Sequence, residues 1–150
     1  MIRVQKAPFD LERELRALKG ENHKIGGVAM FIGTVRDLSG AGAVRTMTLE
    51  HYPGMTERAL EAIDVEAHRR WPLEASLVIH RYGRLEPGDD IVLVITASAH
   101  REAAFEACQF LMDWLKTKAP FWKSEETPEG AHWVEADSRD DAAANRWERR

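Results

Sequence analysis

The sequence lacks several features that mark common classes of protein. It has one cysteine, Cys108, so no disulfide can form within the chain, and no apolar run approaches the roughly 18 residues of a transmembrane helix. The N-terminus also lacks the basic region and long apolar stretch of a signal peptide. We therefore expect neither a membrane span nor a signal peptide, and the lone cysteine indicates a reducing compartment, the cytoplasm.

Motifs for metals, cofactors and the commonest nucleophiles are missing as well. Six histidines and 25 acidic residues are present, but there is no His-Glu-x-x-His, no Cys-x-x-Cys and no carboxylate-rich calcium loop. The chain contains no Walker or Gly-x-Gly-x-x-Gly pattern and no Gly-x-Ser-x-Gly elbow. We expect no metal and no cofactor, and we expect Cys108 to be a core residue within a helix rather than a nucleophile.

What the sequence does contain is typical of one globular domain. Its 150 residues are 44% hydrophobic and 31% charged, which is enough apolar material for a core without metal or disulfide support. The formal net charge of −4 disfavours a general nucleic-acid or anionic-membrane binder, so any basic site must be local. We expect residues 1–150 to form a single domain.

Apolar periodicity and turn residues predict the order of the secondary structure. Strands are predicted at Ile2–Lys6, Gly26–Arg36, Val44–Tyr52, Leu77–Tyr82, Asp90–Ala97, Phe121–Glu126 and His132–Ala136. Helices are predicted after the N-caps Asp10, Thr56 and Ser98, with a short C-terminal helix beginning near Ser138. Hairpins between separated helices indicate an α+β fold with a mainly antiparallel sheet, about three helices and the short C-terminal one.

A sharp corner is predicted at Pro120, because proline cannot continue the helix that leads into it. Lys116 lies in the last helical turn and Lys123 lies three residues past the proline, so their ammonium groups can converge. Trp114, Phe121 and Trp122 are expected to wall this corner. Neighbouring lysines against apolar walls have lowered pKa values and could serve as nucleophile, proton donor or anion clamp. The alternative is that both lysines are ordinary solvated side chains.

Further cations occur at two element ends. Arg36 stands at the mouth of a glycine-containing loop, Asp37–Ala43, that could act as a lid. His100 and Arg101 fall at the start of the main helix, where backbone N–H groups favour an anion such as phosphate. Each could equally be an ordinary surface residue. The glycines of the Gly26–Arg36 strand are expected to mark a bulge or a close backbone approach.

Five short motifs in order carry a family resemblance. They are Phe31-x-Gly33-x-Val35-Arg36, Leu49-Glu50-His51-Tyr52-Pro53-Gly54-Met55, His80-Arg81-x-Gly83, Ser98-Ala99-His100-Arg101-x-x-Ala104-Phe105 and Leu115-Lys116-x-x-Ala119-Pro120-Phe121-Trp122-Lys123-x-Glu125. Together they resemble the large, catalytic subunit of molybdopterin synthase over nearly the whole chain. The family can supply another basic residue after Val134, where this chain has Arg139 nearby.

The resemblance implies the α/β hammerhead fold of that subunit and a reaction. Cyclic pyranopterin monophosphate would be converted to molybdopterin with sulfur from the thiocarboxylated C-terminus of a small ubiquitin-like carrier subunit. Lys116 and Lys123 would be catalytic, and Arg36, His100 and Arg101 would join them in binding substrate. The alternative function is a non-catalytic module that binds the tail of a ubiquitin-like protein.

Helix geometry also bears on the assembly. Arg101 and Lys116 are 15 positions apart on one predicted helix, which separates their backbones by roughly 22 Å. One small pterin cannot easily bridge that distance, so we expect a twofold dimer in which each site takes residues from both chains. The resemblance likewise implies a homodimer core flanked by two carriers, a heterotetramer.

Overall fold

The computed structural model describes residues 1–36, 46–127, 130–134 and 138–148. The strands are β1 (Ile2–Gln5), β2 (Gly27–Thr34), β3 (Thr46–His51), β4 (Leu73–Arg81), β5 (Gly83–Leu85), β6 (Asp90–Ser98), β7 (Phe121–Thr127) and β8 (Gly130–Val134). The helices are α1 (Leu11–Lys19), α2 (Met55–Arg70), α3 (Arg101–Lys118) and α4 (Ser138–Asn145). The predicted α+β class and order of elements are confirmed.

The strands form two four-stranded sheets. Sheet A has the order β1-β4-β6-β2 and sheet B the order β5-β3-β7-β8. All pairings are antiparallel except that of β1 with β4. The predicted pairing of β4 with β6 is confirmed, but the connection between them contains β5, which was not predicted. Gly83 has a φ of 92°, and this left-handed conformation lets the chain leave sheet A and enter sheet B as β5.

Each face of sheet A carries its own core. Helices α2 and α3 cover one face, and α4 packs on α3. The buried residues on this face are Ala29, Leu60, Ile63, Ala67, Val78, Val92, Val94, Ala104, Cys108, Phe110, Leu111, Leu115 and Trp147. Helix α1 covers the other face over Leu77, Ile79, Leu93 and Ile95. A third cluster lies under sheet B and contains Val35, Met47, Leu49 and Leu85. Cys108 is thus a core residue within a helix, as expected, and α3 ends just before β7 of sheet B.

The helix starts correct two predicted N-caps. Asp10 caps α1 as expected, because its side chain accepts from Arg13 N at 3.1 Å. Helix α2, however, begins after Gly54, and Thr56 is buried in its first turn. His100 occupies the N-cap position of α3. Ser98 is instead the last residue of β6, where its hydroxyl donates to Pro72 O at 2.9 Å.

The glycines of the predicted Gly26–Arg36 strand show both of the expected effects. A Cβ on Gly26 would lie 2.1 Å from Ala99 O, so the two backbones approach more closely than any side chain allows. The pairing of β2 with β6 shifts register between Gly33 and Thr34, which is the expected bulge. This close approach joins the start of β2 to the start of α3.

Several predictions fall on residues outside the described ranges. These are the Asp37–Ala43 loop, the first two residues of the strand predicted at Val44–Tyr52, the centre of the last hairpin turn, and the end of the strand predicted at His132–Ala136. The final helix is described as Ser138–Asn145, which begins at Ser138 as predicted. No helix in the described part of the chain is long and apolar enough to cross a membrane.

Candidate active site

The corner at Pro120 forms as the sequence predicts. Helix α3 ends at Lys118, Ala119 is extended with φ −92° and ψ 133°, and β7 begins at Phe121. A hydrogen bond fixes the corner from outside, since the buried Thr56 hydroxyl donates to Pro120 O at 3.0 Å. The same hydroxyl accepts from Tyr52 N at 3.0 Å. The start of α2 therefore holds the proline on which the position of β7 depends.

Strand pairing decides where Lys123 points. In the register of β3 with β7, Leu49 lies opposite Lys123 and His51 lies opposite Phe121. Directly paired residues of antiparallel strands share a face, and so do residues two apart on one strand. Leu49 is buried in the core beneath sheet B. Lys123 is thus half-buried on the inner face of the sheet, on the same side as Phe121.

Lys116 has the ionisation that the sequence predicted for one of the two lysines. Its pKa is lowered from 10.5, first by burial of the ammonium group and then by the positive charge of Lys123, while Asp140 acts in the opposite direction. The second of these causes indicates that Lys123 lies close enough for its charge to act on Lys116. The residue as a whole is nevertheless exposed to solvent. Lys116 is therefore a surface residue whose ammonium group is partly desolvated, and the open corner formed by Lys116, Lys123 and Phe121 beside Pro120 is called the lysine pocket below.

The predicted walls of the corner are only partly correct. Phe121 shares the inner face with Lys123. Trp122 points to the opposite face, where its ring makes a tilted contact with Tyr52 at a centroid distance of 4.8 Å. Trp114 lies two residues before Lys116, or about 200° around the helix. Its indole N–H donates to Ala144 O at 3.3 Å. Alternation along a strand and rotation around a helix therefore direct both tryptophans away from the lysine pocket.

Two histidines that sequence reasoning did not assign to the site lie beside it. His80, at the end of β4, is only 6% exposed, and its ring stacks on Phe121 with centroids 3.7 Å apart and planes 16° apart. His51, the last residue of β3, has its ring centroid 6.3 Å from that of Phe121. Both residues stand in the motifs that carried the resemblance. The sequence feature that could have identified them is a histidine at the end of each of two strands, just before a turn.

Burial determines the protonation of His80. The pKa of the imidazole is lowered to about 4, chiefly by burial and in smaller part by the charges of Lys116, Lys123 and His51, against the effect of a backbone hydrogen bond at Arg81. That bond joins Nδ1 to Arg81 O at 2.8 Å. Because a carbonyl oxygen only accepts, Nδ1 carries the proton and Nε2 is an unprotonated acceptor. The ring is therefore neutral at physiological pH.

A carboxylate lies on the other side of His51. Glu57 Oε2 accepts from Gly54 N at 2.8 Å, which satisfies the start of α2. Its second oxygen, Oε1, is buried without a hydrogen-bond partner and lies 3.8 Å from His51 Nε2. Glu57 therefore places a carboxylate oxygen beside the His51 ring.

The remaining candidates lie elsewhere in the chain. Arg36 is exposed two residues after β2, next to the part of the chain outside the described ranges. His100 and Arg101 are exposed at the start of α3, and Lys116 is near its end, so the helix separates them by roughly 22 Å. One chain therefore brings Lys116 and Lys123 together but not Arg101. Arg139 lies in the first turn of α4, beside the Asp140 whose charge acts on Lys116.

This arrangement permits two kinds of chemistry. A lysine with a lowered pKa carries more unprotonated amine near neutral pH and can exchange a proton with a bound substrate. Two cationic groups at one partly desolvated corner can also neutralise an anion, with greater effect than they would have in bulk water. In the described residues, no group of three or more His, Cys, Asp or Glu side chains is arranged to hold a metal.

The fold and the pocket are those of an α+β enzyme with a cationic site where two sheets meet. A family model described as MoaE protein matches residues 4–118. A molybdopterin synthase catalytic subunit from Pseudomonas aeruginosa is 58% identical over 147 residues, 98% of either chain. The chain therefore belongs to the MoaE family. The resemblance seen in the sequence and the expected enzyme class are confirmed.

Solved structures agree with this assignment. The molybdopterin biosynthesis MoaE protein from Burkholderia ambifaria has a TM-score of 0.83 at 55% identity, covering 99% of this chain and 98% of that one. A crystal structure of molybdopterin synthase from Staphylococcus aureus has a TM-score of 0.81 at 28% identity and covers 88% of this chain and 95% of that one. The described fold is thus the fold of this family.

Proposed function

We propose that the chain catalyses sulfur transfer to cyclic pyranopterin monophosphate, forming molybdopterin for molybdenum cofactor biosynthesis. The observation that carries the proposal is the corner at Pro120, where Lys116 has a pKa lowered by burial and by the nearby charge of Lys123. Membership of the MoaE family supports the reaction class. A single domain over residues 1–150 forms the catalytic subunit.

The sulfur must arrive on a partner, because the chain has no cysteine suited to carry it. Cys108 is its only cysteine and is buried in α3. Burial raises the pKa of this thiol to about 11, so it stays protonated and unreactive at neutral pH. The partner is a small ubiquitin-like carrier with a thiocarboxylated C-terminus. A reduced thiol also fits a protein that acts in the cytoplasm.

The lysines have separate roles in this reaction. Lys116, with its lowered pKa, exchanges protons with the substrate or stabilises charge that develops during transfer. Lys123 holds the anionic thiocarboxylate or phosphate against the inner face of sheet B. Arg36, His100 and Arg101 provide further cations for the phosphate ester.

The site is shared between two copies of the chain. Within one chain Arg101 lies roughly 22 Å from Lys116 along α3, too far for one small substrate. None of the described strands pairs with the outer edge of β2, and its Phe31 is 45% exposed. Helix α3 packs on β2 and exposes 65% of Phe105. A twofold dimer could cover these apolar groups and bring the two ends of α3 together, with one carrier bound at each end.

A single-turnover assay tests the proposed function. Wild-type chain, thiocarboxylated carrier and cyclic pyranopterin monophosphate should yield molybdopterin, whereas Lys116→Ala should reduce the rate at least a hundredfold. Lys118→Ala is the matched control, because Lys118 lies two residues away on the same helix but its ammonium is paired with Glu148 at 3.0 Å. The control should keep nearly full activity.

A binding measurement in parallel separates catalysis from docking. Carrier affinity for Lys116→Ala, measured by calorimetry, should stay within tenfold of wild type if the lysine acts in the chemical step. Wild-type chain that binds the carrier tail but never forms product would instead establish a non-catalytic binding module.

A further inference from the structure

His80 is fixed by strand pairing on both sides, by a ring stack and by a hydrogen bond of its own ring. It lies in register with Val4 on β1 and Val92 on β6, in the interior of sheet A. Its ring stacks on Phe121, the first residue of β7, and its Nδ1–H donates to Arg81 O at 2.8 Å. These contacts fix both the position of the ring and its tautomer, leaving Nε2 as the polar atom with a free lone pair.

The titratable groups that act on this ring come from three different elements. Lys116 belongs to α3, Lys123 to β7 and His51 to β3. On its own strand, the neighbouring Arg81 is directed elsewhere, since its guanidinium donates to Lys6 O at 3.0 Å and Asp90 O at 2.9 Å. Lys123 shares the inner face of β7 with Phe121, on which the His80 ring stacks, so strand register places this lysine and the ring on the same side of sheet B.

Two acidic groups complete these surroundings, and neither acts directly on His80. Asp140 acts on Lys116 from α4, and Glu57 lies behind His51 at 3.8 Å from its Nε2. The group that sheet A contributes among these charges is therefore an uncharged imidazole.

A neutral acceptor solves a problem that a carboxylate would create. A carboxylate beside Lys116 would attract the ammonium and raise its pKa, removing the reactive amine. An imidazole nitrogen can orient an ammonium through a hydrogen bond without adding negative charge. Because the ring stays unprotonated, it also adds no third positive charge that would repel the lysines.

We propose that His80 is a positioning residue of the lysine pocket, whose neutral ring offers Nε2 as a hydrogen-bond acceptor to the lysine ammonium groups while its stack on Phe121 fixes the start of β7. The proposal rests on the proposed sulfur transfer at this pocket. Through His80, β4 contributes to the reaction in addition to the two lysines.

Two matched variants separate the nitrogens of the ring. His80→Gln keeps a polar group near the position of Nε2, whereas His80→Asn keeps one near Nδ1 only. We expect His80→Gln to retain at least a third of the wild-type kcat and His80→Asn to lose at least tenfold, with the KM for the carrier changed less than threefold. Equal kcat values for the two variants would overturn the proposal.

A measurement without turnover keeps this test separate from that of the proposed function. Competitive labelling with acetic anhydride over a pH series, read by mass spectrometry, gives the pKa of Lys116. Loss of the acceptor should lower that pKa further in His80→Asn and leave it near the wild-type value in His80→Gln. Identical labelling curves in both variants would overturn the proposal even if the wild-type enzyme is active.

The wild-type chain provides a further check that needs no variant. Nitrogen-15 NMR of the histidine rings should show His80 as the Nδ1–H tautomer, with an unprotonated Nε2, at pH 6. A protonated Nε2 at that pH would remove the acceptor and overturn the proposal. Failure of the wild-type enzyme to transfer sulfur, with these spectra as expected, would refute the proposed function alone.

Discussion

Mild acid should destabilise this protein through one buried ring. In the folded chain the pKa of His80 is about 4 because of burial, whereas an unperturbed histidine has 6.5. Between these values the unfolded chain binds a proton that the folded chain does not. Stability from this residue is therefore complete above pH 6.5 and is lost as the pH falls towards 4.

The size of the effect follows from the two pKa values. A pKa lowered from 6.5 to about 4 corresponds to about 3 kcal/mol once the ring is fully protonated, at 1.36 kcal/mol per pH unit. Most of this loss, about 2.5 kcal/mol, should already be present at pH 4.5. Because small domains are stable by only about 5–15 kcal/mol, the change is large enough to measure.

Urea unfolding followed by circular dichroism at pH 7.5 and pH 4.5 provides the assay. His80→Gln cannot take up a proton, so its free energy of unfolding should fall by about 2.5 kcal/mol less than that of wild type over this interval. His23→Gln, a variant of an exposed histidine, is the control and should follow wild type. Parallel losses of stability in wild type and His80→Gln would refute a buried neutral ring.

Three further predictions concern the lysine pocket and its supports. The rate should depend on an ionisation below 10.5, the ordinary pKa of lysine, because burial lowers the pKa of Lys116; Lys116→Arg should abolish this dependence, since arginine keeps its proton. An unchanged pH profile in an active Lys116→Arg enzyme would contradict this. Mixing inactive Arg101→Ala and Lys116→Ala chains should restore up to about one wild-type site in each mixed dimer, whereas no recovery after verified subunit exchange would confine the site to one chain. Thr56→Val removes the buried hydroxyl between Tyr52 N and Pro120 O and should lower the free energy of unfolding by about 1–3 kcal/mol, while Thr56→Ser should cost less in the same urea titration. Equal losses for the two substitutions would exclude the hydroxyl as the cause.

Local rules in the sequence were sufficient for the corner at Pro120. Proline ends a helix wherever it stands, so the end of α3 at Lys118 and the start of β7 at Phe121 could be predicted without knowledge of the fold. The convergence of Lys116 and Lys123 followed from that turn and from their spacing. Motif order was specific enough to identify the family, because short patterns in five places had to agree at once.

Only the tertiary structure determined which other groups surround these lysines. His51 and His80 belong to two different sheets, and they meet at Phe121 because strand register and the packing of sheet A against sheet B place them there. Trp114 and Trp122 are neighbours of the lysines in sequence but point away from the pocket. Sequence spacing fixes backbone conformation over a few residues, whereas side-chain neighbours, and therefore pKa values, depend on contacts between distant segments.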